Sequence, residues 1–237
     1  MKISKGALYL IPSFLAETNN HQNFPPVNLG IIQQLDLFVV ENVRTARRFL
    51  RKVGFNKAFD QVVFLELNKH TNRADLPEYL LAVQEGKDIG LLSEAGIPCI
   101  ADPGSEIVSI AHHLNIKVVP LTGPSSIFLA LMASGLNGQN FVFHGYLPID
   151  RKEKEQKLRD LEKKSRVYKQ TQIFIETPYR NNQMLEAIVK SCHKNTLLCI
   201  GSMLTHDTFE FIKTKTVLQW KNNLPDLHKK PTVFLLY

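Results

Sequence analysis

The run Leu92-Ser93-Glu94-Ala95-Gly96-Ile97-Pro98-Cys99-Ile100-Ala101-Asp102-Pro103-Gly104 follows a short apolar stretch and precedes a helical pattern. Gly96 and Gly104 permit backbone angles closed to other residues and allow a ligand to approach the main chain. Pro98 and Pro103 stiffen the loop, so its backbone N–H and C=O groups form a fixed array. A rigid turn that binds nothing would use the same residues. Two carboxylates, Glu41 and Glu176, each follow an apolar strand pattern. Either is a candidate general base, although a structural or helix-capping role is the plainer one. His144 is a third candidate, but a lone histidine after a strand is more often a hydrogen-bonded rim residue. Between Glu41 and Lys52 there are five cations and one anion. Arg44, Arg47 (or Arg48) and Arg51 recur at helical spacing and share one face, a stripe suited to phosphates.

The elements that position these residues alternate. Strand patterns at Ala7–Ile11, Leu37–Val40, Val62–Leu65, Ile89–Leu92 and Ile116–Val119 are interleaved with helical patterns at Val43–Lys52, Leu76–Glu85 and Ile107–Leu114. Such alternation implies parallel crossovers and a sheet covered on both faces. In open α/β sheets ligands bind at the carboxyl ends of strands, where the glycine-proline loop falls. The second half has more strands per helix: strands at Phe141–Gly145, Gln172–Glu176, Leu197–Gly201, Phe209–Ile212 and Val233–Leu236, and helices at Ile127–Ser134, Arg151–Arg166 and Asn182–Lys190. The expected fold class is therefore α/β, with an N-terminal domain over 1–121 built on a mostly parallel sheet and a C-terminal domain over 122–237 built on a mixed sheet.

Bulk properties narrow the class. Hydrophobic residues make up 44% of the 237 and charged residues 22%, the mix of a globular protein. No apolar run approaches the roughly 20 residues of a membrane helix. The stretch from Met1 to Phe14 is broken by Pro12 and too short for a secretory signal, so a cytoplasmic location is expected. Cys99, Cys192 and Cys199 form no CxxC pair, which argues for reduced thiols and against a thiolate metal site. No His/Asp cluster has ligand spacing, so no metal is expected. The formal net charge of +7 attracts polyanions. From Asp150 to Gln170, nine Lys/Arg oppose five Asp/Glu with alternating sign, the pattern of a solvated, ion-paired helix face.

The glycine-proline run resembles the Ser-Asp-Ala-Gly-Thr-Pro-x-Ile-Ser-Asp-Pro-Gly signature of the small-subunit ribosomal RNA methyltransferase I family, a branch of the tetrapyrrole-methylase superfamily. Four further stretches match in order: Val40 to Leu50, with Glu41-Asn42-Val43-Arg44; Pro120-Leu121-Thr122-Gly123-Pro124-Ser125-Ser126 followed by Ala130 to Leu136; Phe143-His144-Gly145-Tyr146-Leu147-Pro148; and Ile175-Glu176-Thr177-Pro178-Tyr179-Arg180. The resemblance runs from about Leu8 to Thr205. It implies a class III methyltransferase in which S-adenosylmethionine lies in a cleft between two α/β domains. It also implies a homodimer and 2′-O-methylation of a ribose in ribosomal RNA or the small ribosomal subunit. Carried over by position, the cofactor contacts are Pro12, Ser93, Glu94, Ala95, Gly96, Ile97, Ser125, Ser126, Tyr146, Leu147, Thr177, Leu204 and Thr205. The chain departs from the family pattern in its first loop, Ile11 to Asn20, where only the proline context survives. Glu94 and Asn42 replace aspartates, Ile97 a threonine and Tyr179 a histidine. Two other readings stand beside the RNA methyltransferase: the same fold acting on a small or tetrapyrrole substrate, and a cofactor- or RNA-binding protein without methyl transfer.

Overall fold

The computed structural model describes residues 5–16 and 24–237. Glu17 to Asn20 of the first loop, and Met1 to Ser4, lie outside the described residues. The chain forms two compact units, Met1–Pro124 and Ser125–Tyr237.

The first unit is a parallel sheet in the order β3-β2-β4-β1-β5, made of β1 (Ala7–Ile11), β2 (Leu37–Val40), β3 (Val63–Glu66), β4 (Ile89–Leu92) and β5 (Lys117–Pro120). Its strands are nearly continuous apolar runs because both faces are covered. Alternation along the strands divides the core in two. Ile11, Phe38, Val40 and Leu92 pack on one face with Ile32 of α1 (Pro26–Ile32) and with Phe49 and Leu50 of α2 (Val43–Lys52). Leu8, Val39, Ile89 and Leu91 pack on the other with Leu76, Leu80, Val83 and, from α4 (Gly104–His113), Ile107 and Ala111. Asn42 caps α2, accepting from the Arg44 amide at 2.9 Å and the Thr45 amide at 3.2 Å. The asparagine thus does the capping that an aspartate would do.

One helical expectation changes, and one helix is new. The helix expected over Leu76–Glu85 is a 3-10 helix from Arg73 to Leu80 and only a short α-helix, α3, over Leu81–Gln84. Pro77 lies inside it, where its missing N–H and ring obstruct α-helical bonding. The helix α1 carries no side-chain cap and is only seven residues long, so its one sequence signal is the proline at its first position, Pro26.

The second unit is a mixed sheet in the order β6-β7-β10-β8-β9, from β6 (Phe141–Tyr146), β7 (Thr171–Ile175), β8 (Leu197–Ser202), β9 (Phe211–Thr216) and β10 (Thr232–Leu236). β6 pairs parallel with β7, while β10 runs antiparallel to both β7 and β8. One face buries Leu158 and Leu161 of α6 (Arg151–Tyr168), Met184, Leu185 and Ile188 of α7 (Asn181–Ser191) and Trp220 of α8 (Val217–Asn222) against Phe174 and Phe234. The strand expected at Phe209–Ile212 begins at Phe211 and runs on to Thr216. There a capping box between Thr216 and Gln219 starts α8, a helix whose Thr-x-x-Gln signal the sequence reading passed over. The opposite face carries α5 (Ser126–Ser134).

The Phe174 and Phe234 rings stack at 5.7 Å and are fully buried. Phe234→Ala should destabilise the second unit by about 3–5 kcal/mol, the usual range for an emptied aromatic site. Trp220, the sole tryptophan, is buried in the same cluster and reports on it. A denaturant titration followed by its fluorescence should show a lower midpoint. An unchanged midpoint would contradict this core.

Candidate functional site

In the first unit the site is built on the edge where β4, β1 and β5, three neighbouring strands, end together. The segment after β1 crosses to the segment after β4: the Ser13 amide donates to the Gly96 carbonyl at 2.8 Å, and Ser13 Oγ donates to the Ser93 carbonyl at 2.9 Å. Ser93 Oγ also donates to the Gly96 carbonyl at 2.9 Å. Pro12 presses on the segment after β5, since a Cβ on Gly123 would lie 2.2 Å from Pro12 Cγ. Asn28, buried in α1, donates to the Thr122 carbonyl at 2.8 Å and holds that segment from below. Phe14 anchors the altered first loop by packing on Phe24 and Phe49, with ring centroids at 5.8 and 5.5 Å. Pro12, Ser93, Glu94, Ala95, Gly96 and Ile97, which were singled out together, do come together here.

The loop from Ser93 to Gly104 holds unusual backbone. Gly96 has φ +74°, and Cys99 and Ala101 have φ +70° and +65°. Left-handed angles at ordinary residues cost about 1–3 kcal/mol each and persist only where the surroundings over-determine them. Asp102 is the clamp, with its carboxylate accepting from the Cys99 amide at 2.9 Å and the Gly104 amide at 2.8 Å. Gly104 is needed for a different reason from Gly96: a Cβ there would lie 2.9 Å from both Asp102 and Leu91. Burial pushes the Cys99 thiol up to about 12, helped by the Asp102 charge, so it is no nucleophile.

Beside this loop a cavity of about 540 Å³ opens at the ends of β2, β3 and β4. Its lining includes Glu41, Asn42, Glu94 and Lys69, together with Arg73 and Glu106, which pair with each other at 2.9 Å. Glu41 is half-buried and accepts from the Glu94 amide at 3.4 Å. Burial raises its pKa, the Glu94 amide opposes the shift, and the charges of Asp102 and Glu94 add to it. A carboxylate with raised proton affinity in a cleft is suited to accept a proton. Thr45 Oγ1 donates to the Glu94 carboxylate and fixes its position. Sequence reasoning missed Lys69, Arg73, Glu106 and Asp102 as parts of this edge. They sit on segments whose mutual approach only the sheet order reveals, although Asp102-Pro103-Gly104 stood inside the quoted run.

The stripe on α2 is exposed at Arg44, Arg47 and Arg51, as helical spacing requires. Two of the three have internal partners. The Arg51 guanidinium lies 4.0 Å from the Phe59 ring centroid and donates to the Phe55 carbonyl at 2.8 Å, and Arg47 lies over Phe64 at 5.2 Å. Among the described residues the Arg44 guanidinium has no partner, which makes it the most available of the three.

In the second unit, Tyr146 ends β6, and Leu147, Thr177 and Leu204-Thr205 follow β6, β7 and β8, which end on one edge of that sheet. Ser125 and Ser126 join them. A Cβ on Gly201 would lie 3.2 Å from that of Ala130, and Thr214, which pairs with Cys199, donates to the Ser134 carbonyl. α5 therefore runs against β8, and its N-terminus points to the same edge. Leu147 and Leu204 are buried, Tyr146 is exposed, and Thr205 has φ +67°. Glu176 reads as an anchor. Its buried Oε1 accepts from Arg180 Nε at 3.0 Å, Arg180 Nη2 at 2.7 Å and the Thr177 amide at 2.6 Å. Burial alone would raise its pKa, but those bonds and the charges of Arg180 and Lys154 outweigh it and hold the group ionised. A carboxylate committed to an ion pair is a poor base, so the pair Glu41 and Glu176 is not equivalent. His144 hydrogen-bonds Gln172 at 2.8 Å, and burial lowers its pKa. Among the described residues no group of three or more His, Cys, Asp or Glu is placed to hold a metal ion. No helix among them is long and apolar enough to cross a membrane.

Gly123→Ala tests the convergence of the first unit's loops. The added methyl must displace the rigid Pro12 ring, which should cost about 1–3 kcal/mol of stability. A thermal midpoint equal to that of the unaltered chain would contradict the contact.

The model of the tetrapyrrole (corrin/porphyrin) methylases matches residues 26–216. Proteins named ribosomal RNA small subunit methyltransferase I are similar over almost the whole chain. That of Pasteurella multocida is 30% identical over 98% of this chain and 79% of its own length. That of Bacillus subtilis is 30% identical over 93% and 72%. That of Buchnera aphidicola is 27% identical over 98% and 78%. Among solved structures, the methyltransferase CobJ matches with a TM-score of 0.61 at 14% identity, covering 98% of this chain and 93% of its own, a likeness of fold. The chain belongs to the tetrapyrrole (corrin/porphyrin) methylase family and, within it, to the family of ribosomal RNA small subunit methyltransferase I.

Proposed function

We propose that this protein is an S-adenosylmethionine-dependent methyltransferase whose acceptor is a ribose 2′-hydroxyl of small-subunit ribosomal RNA. The observation that carries the reading is Glu41: a half-buried carboxylate of raised pKa, in a cavity large enough for a nucleotide, beside a strained and fully clamped loop. The relatives' names support small-subunit ribosomal RNA as the substrate.

The residues present fit the cofactor. Bound S-adenosylmethionine supplies an electrophilic methyl group on a sulfonium cation. Pro12 and Ser93 to Ile97 would hold it in the first unit. Of the two exposed residues of that loop, Glu94 and Ala95, Glu94 carries a carboxylate, the sign a sulfonium requires, and the loop's backbone groups are fixed in advance. Ser125, Ser126, Tyr146, Leu147, Thr177, Leu204 and Thr205 are the second unit's proposed contacts. Glu41 takes the proton of the acceptor hydroxyl and leaves its oxygen nucleophilic. Lys69, in the cavity lining, suits a flanking phosphate, and Arg44 extends the basic surface. Assembly as a homodimer and action in the cytoplasm, where small ribosomal subunits are made in bacteria, belong to the same proposal.

The direct test is transfer of labelled methyl from S-adenosylmethionine into purified small-subunit RNA, with a tetrapyrrole acceptor in parallel. Label in alkali-resistant dinucleotides of the RNA is expected. Label in the tetrapyrrole alone, or in neither, overturns the reading.

Glu41→Gln should lower the transfer rate by about 10²–10⁴-fold, the range for loss of a general base, with cofactor affinity retained. Glu41 works only when ionised. Because its pKa is raised, the rate of the unaltered enzyme should climb with pH through that elevated value and then level, a limb the variant lacks. A variant of near-normal rate removes Glu41 from the mechanism. Arg44→Ala should weaken RNA binding and reduce the slope of log K against log salt by about one unit, with cofactor binding unchanged. An unchanged slope would make the α2 stripe a solvated helix face.

A further inference from the structure

We propose that Tyr179, with His228 and Lys229, forms a second RNA contact, a platform on which an unpaired base stacks while the Lys229 ammonium holds its phosphate. This rests on the RNA acceptor proposed above and assigns residues outside both the cavity and the α2 stripe. Tyr179 is 68% exposed, unusual for a large ring, and it stands where the family pattern has histidine. The His228 ring meets it edge-on at 6.1 Å and the Lys229 ammonium lies 6.0 Å from its centroid.

The support beneath is what separates this cluster from a chance surface group. The two loops that carry it are tied together at every step. The Lys229 amide donates to the Pro178 carbonyl at 3.0 Å, and Asn181 Nδ2 to the Lys230 carbonyl at 2.6 Å. Asn182 bonds Asp226 Oδ1 at 2.9 Å and accepts from the Leu227 amide at 2.7 Å. Asp226 Oδ1 also takes the His228 amide at 3.0 Å, and Leu227 is buried in the core. Lys229 is held at φ +58°. A left-handed lysine, locked by its neighbours beside an exposed ring, is pre-ordered for contact, so little entropy is lost when a ligand docks. Of the nearby carboxylates, Asp226 Oδ1 is met by Asn182 and the His228 amide, and Glu176 is buried with its Oε1 on Arg180 and the Thr177 amide.

A flat aromatic ring takes any nucleobase, and unpaired RNA bases are read by stacking on such rings. Adenine of the cofactor has the same face, but S-adenosylmethionine carries no phosphate for Lys229 to meet. The chemistry therefore favours RNA.

The experiment measures binding of a fluorescein-labelled oligouridine of about 12 nucleotides, within the site sizes typical of stacking proteins. S-adenosylmethionine affinity is followed in parallel by calorimetry. Tyr179→Ala should weaken RNA binding about 5- to 150-fold, the span for one lost stacking contact. Tyr179→Phe should keep it. Lys229→Ala should lower the salt slope by about one unit. Cofactor affinity should be unchanged in all three, and their thermal midpoints show that they fold. Unchanged RNA affinity in Tyr179→Ala overturns the platform alone. Equal loss in Tyr179→Phe assigns the contact to the hydroxyl and overturns stacking. Loss of cofactor affinity gives the ring to adenine and also overturns it. An unaltered protein that binds no RNA overturns the platform and the RNA acceptor together.

Discussion

A parallel sheet brings the carboxyl ends of all its strands to one edge, and the backbone groups that leave the ladder there need partners. In the first unit those partners come from the neighbouring loops themselves. Ser13 satisfies Gly96 and Ser93, Asn28 satisfies Thr122, and Asp102 satisfies Cys99 and Gly104. Because the loops satisfy one another, they hold positive φ at Gly96, Cys99 and Ala101 without unfolding. The same bonds leave Glu94 and Ala95 exposed on a fixed backbone. The fixed geometry of the loops thus follows from hydrogen-bond satisfaction at a sheet edge.

Environment then divides labour between like residues. Glu41 and Glu176 both follow a strand, yet they end with opposite proton affinities. Glu41 is shielded from water, faces two other carboxylates and has one long bond from an amide. Glu176 is more deeply buried but is met by a guanidinium, an amide and a second cation. Desolvation acts on both, and the neighbours decide the sign. The arginines divide in the same way. Arg47 and Arg51 spend their guanidinium faces on Phe64 and Phe59, which locks α2 against the β3 side of the sheet. Arg44, one turn earlier, is beyond those rings.

Strand alternation and glycine-proline punctuation made the two sheets and the main loops legible in the sequence. The periods are short-range, and the core enforces them. What stayed hidden depends on long-range approach. Gly123 reads as an ordinary turn glycine until Pro12 is placed against it. Ser13 reads as a loop serine until the order of the strands makes β1 and β4 neighbours. Pro77 stood in plain view inside an apparently helical stretch, and its effect was to convert that stretch to a 3-10 helix. The α2 stripe shows the converse. Spacing found the exposed face, but the aromatic partners come from the 3-10 turn at Phe59 and from β3, which no helical period can reveal. Likewise Tyr179 gains meaning only through Lys229, fifty positions along the chain.

The central claim is that the edge where β4, β1 and β5 end receives S-adenosylmethionine. Amide hydrogen exchange with and without saturating cofactor tests it residue by residue. Exchange should slow at Ser93 to Ile97, at Ser13 and across 121–124, while β3 and its neighbouring turn at Phe59 keep their rates. Bound cofactor that leaves the Ser93–Ile97 amides unchanged would contradict the claim.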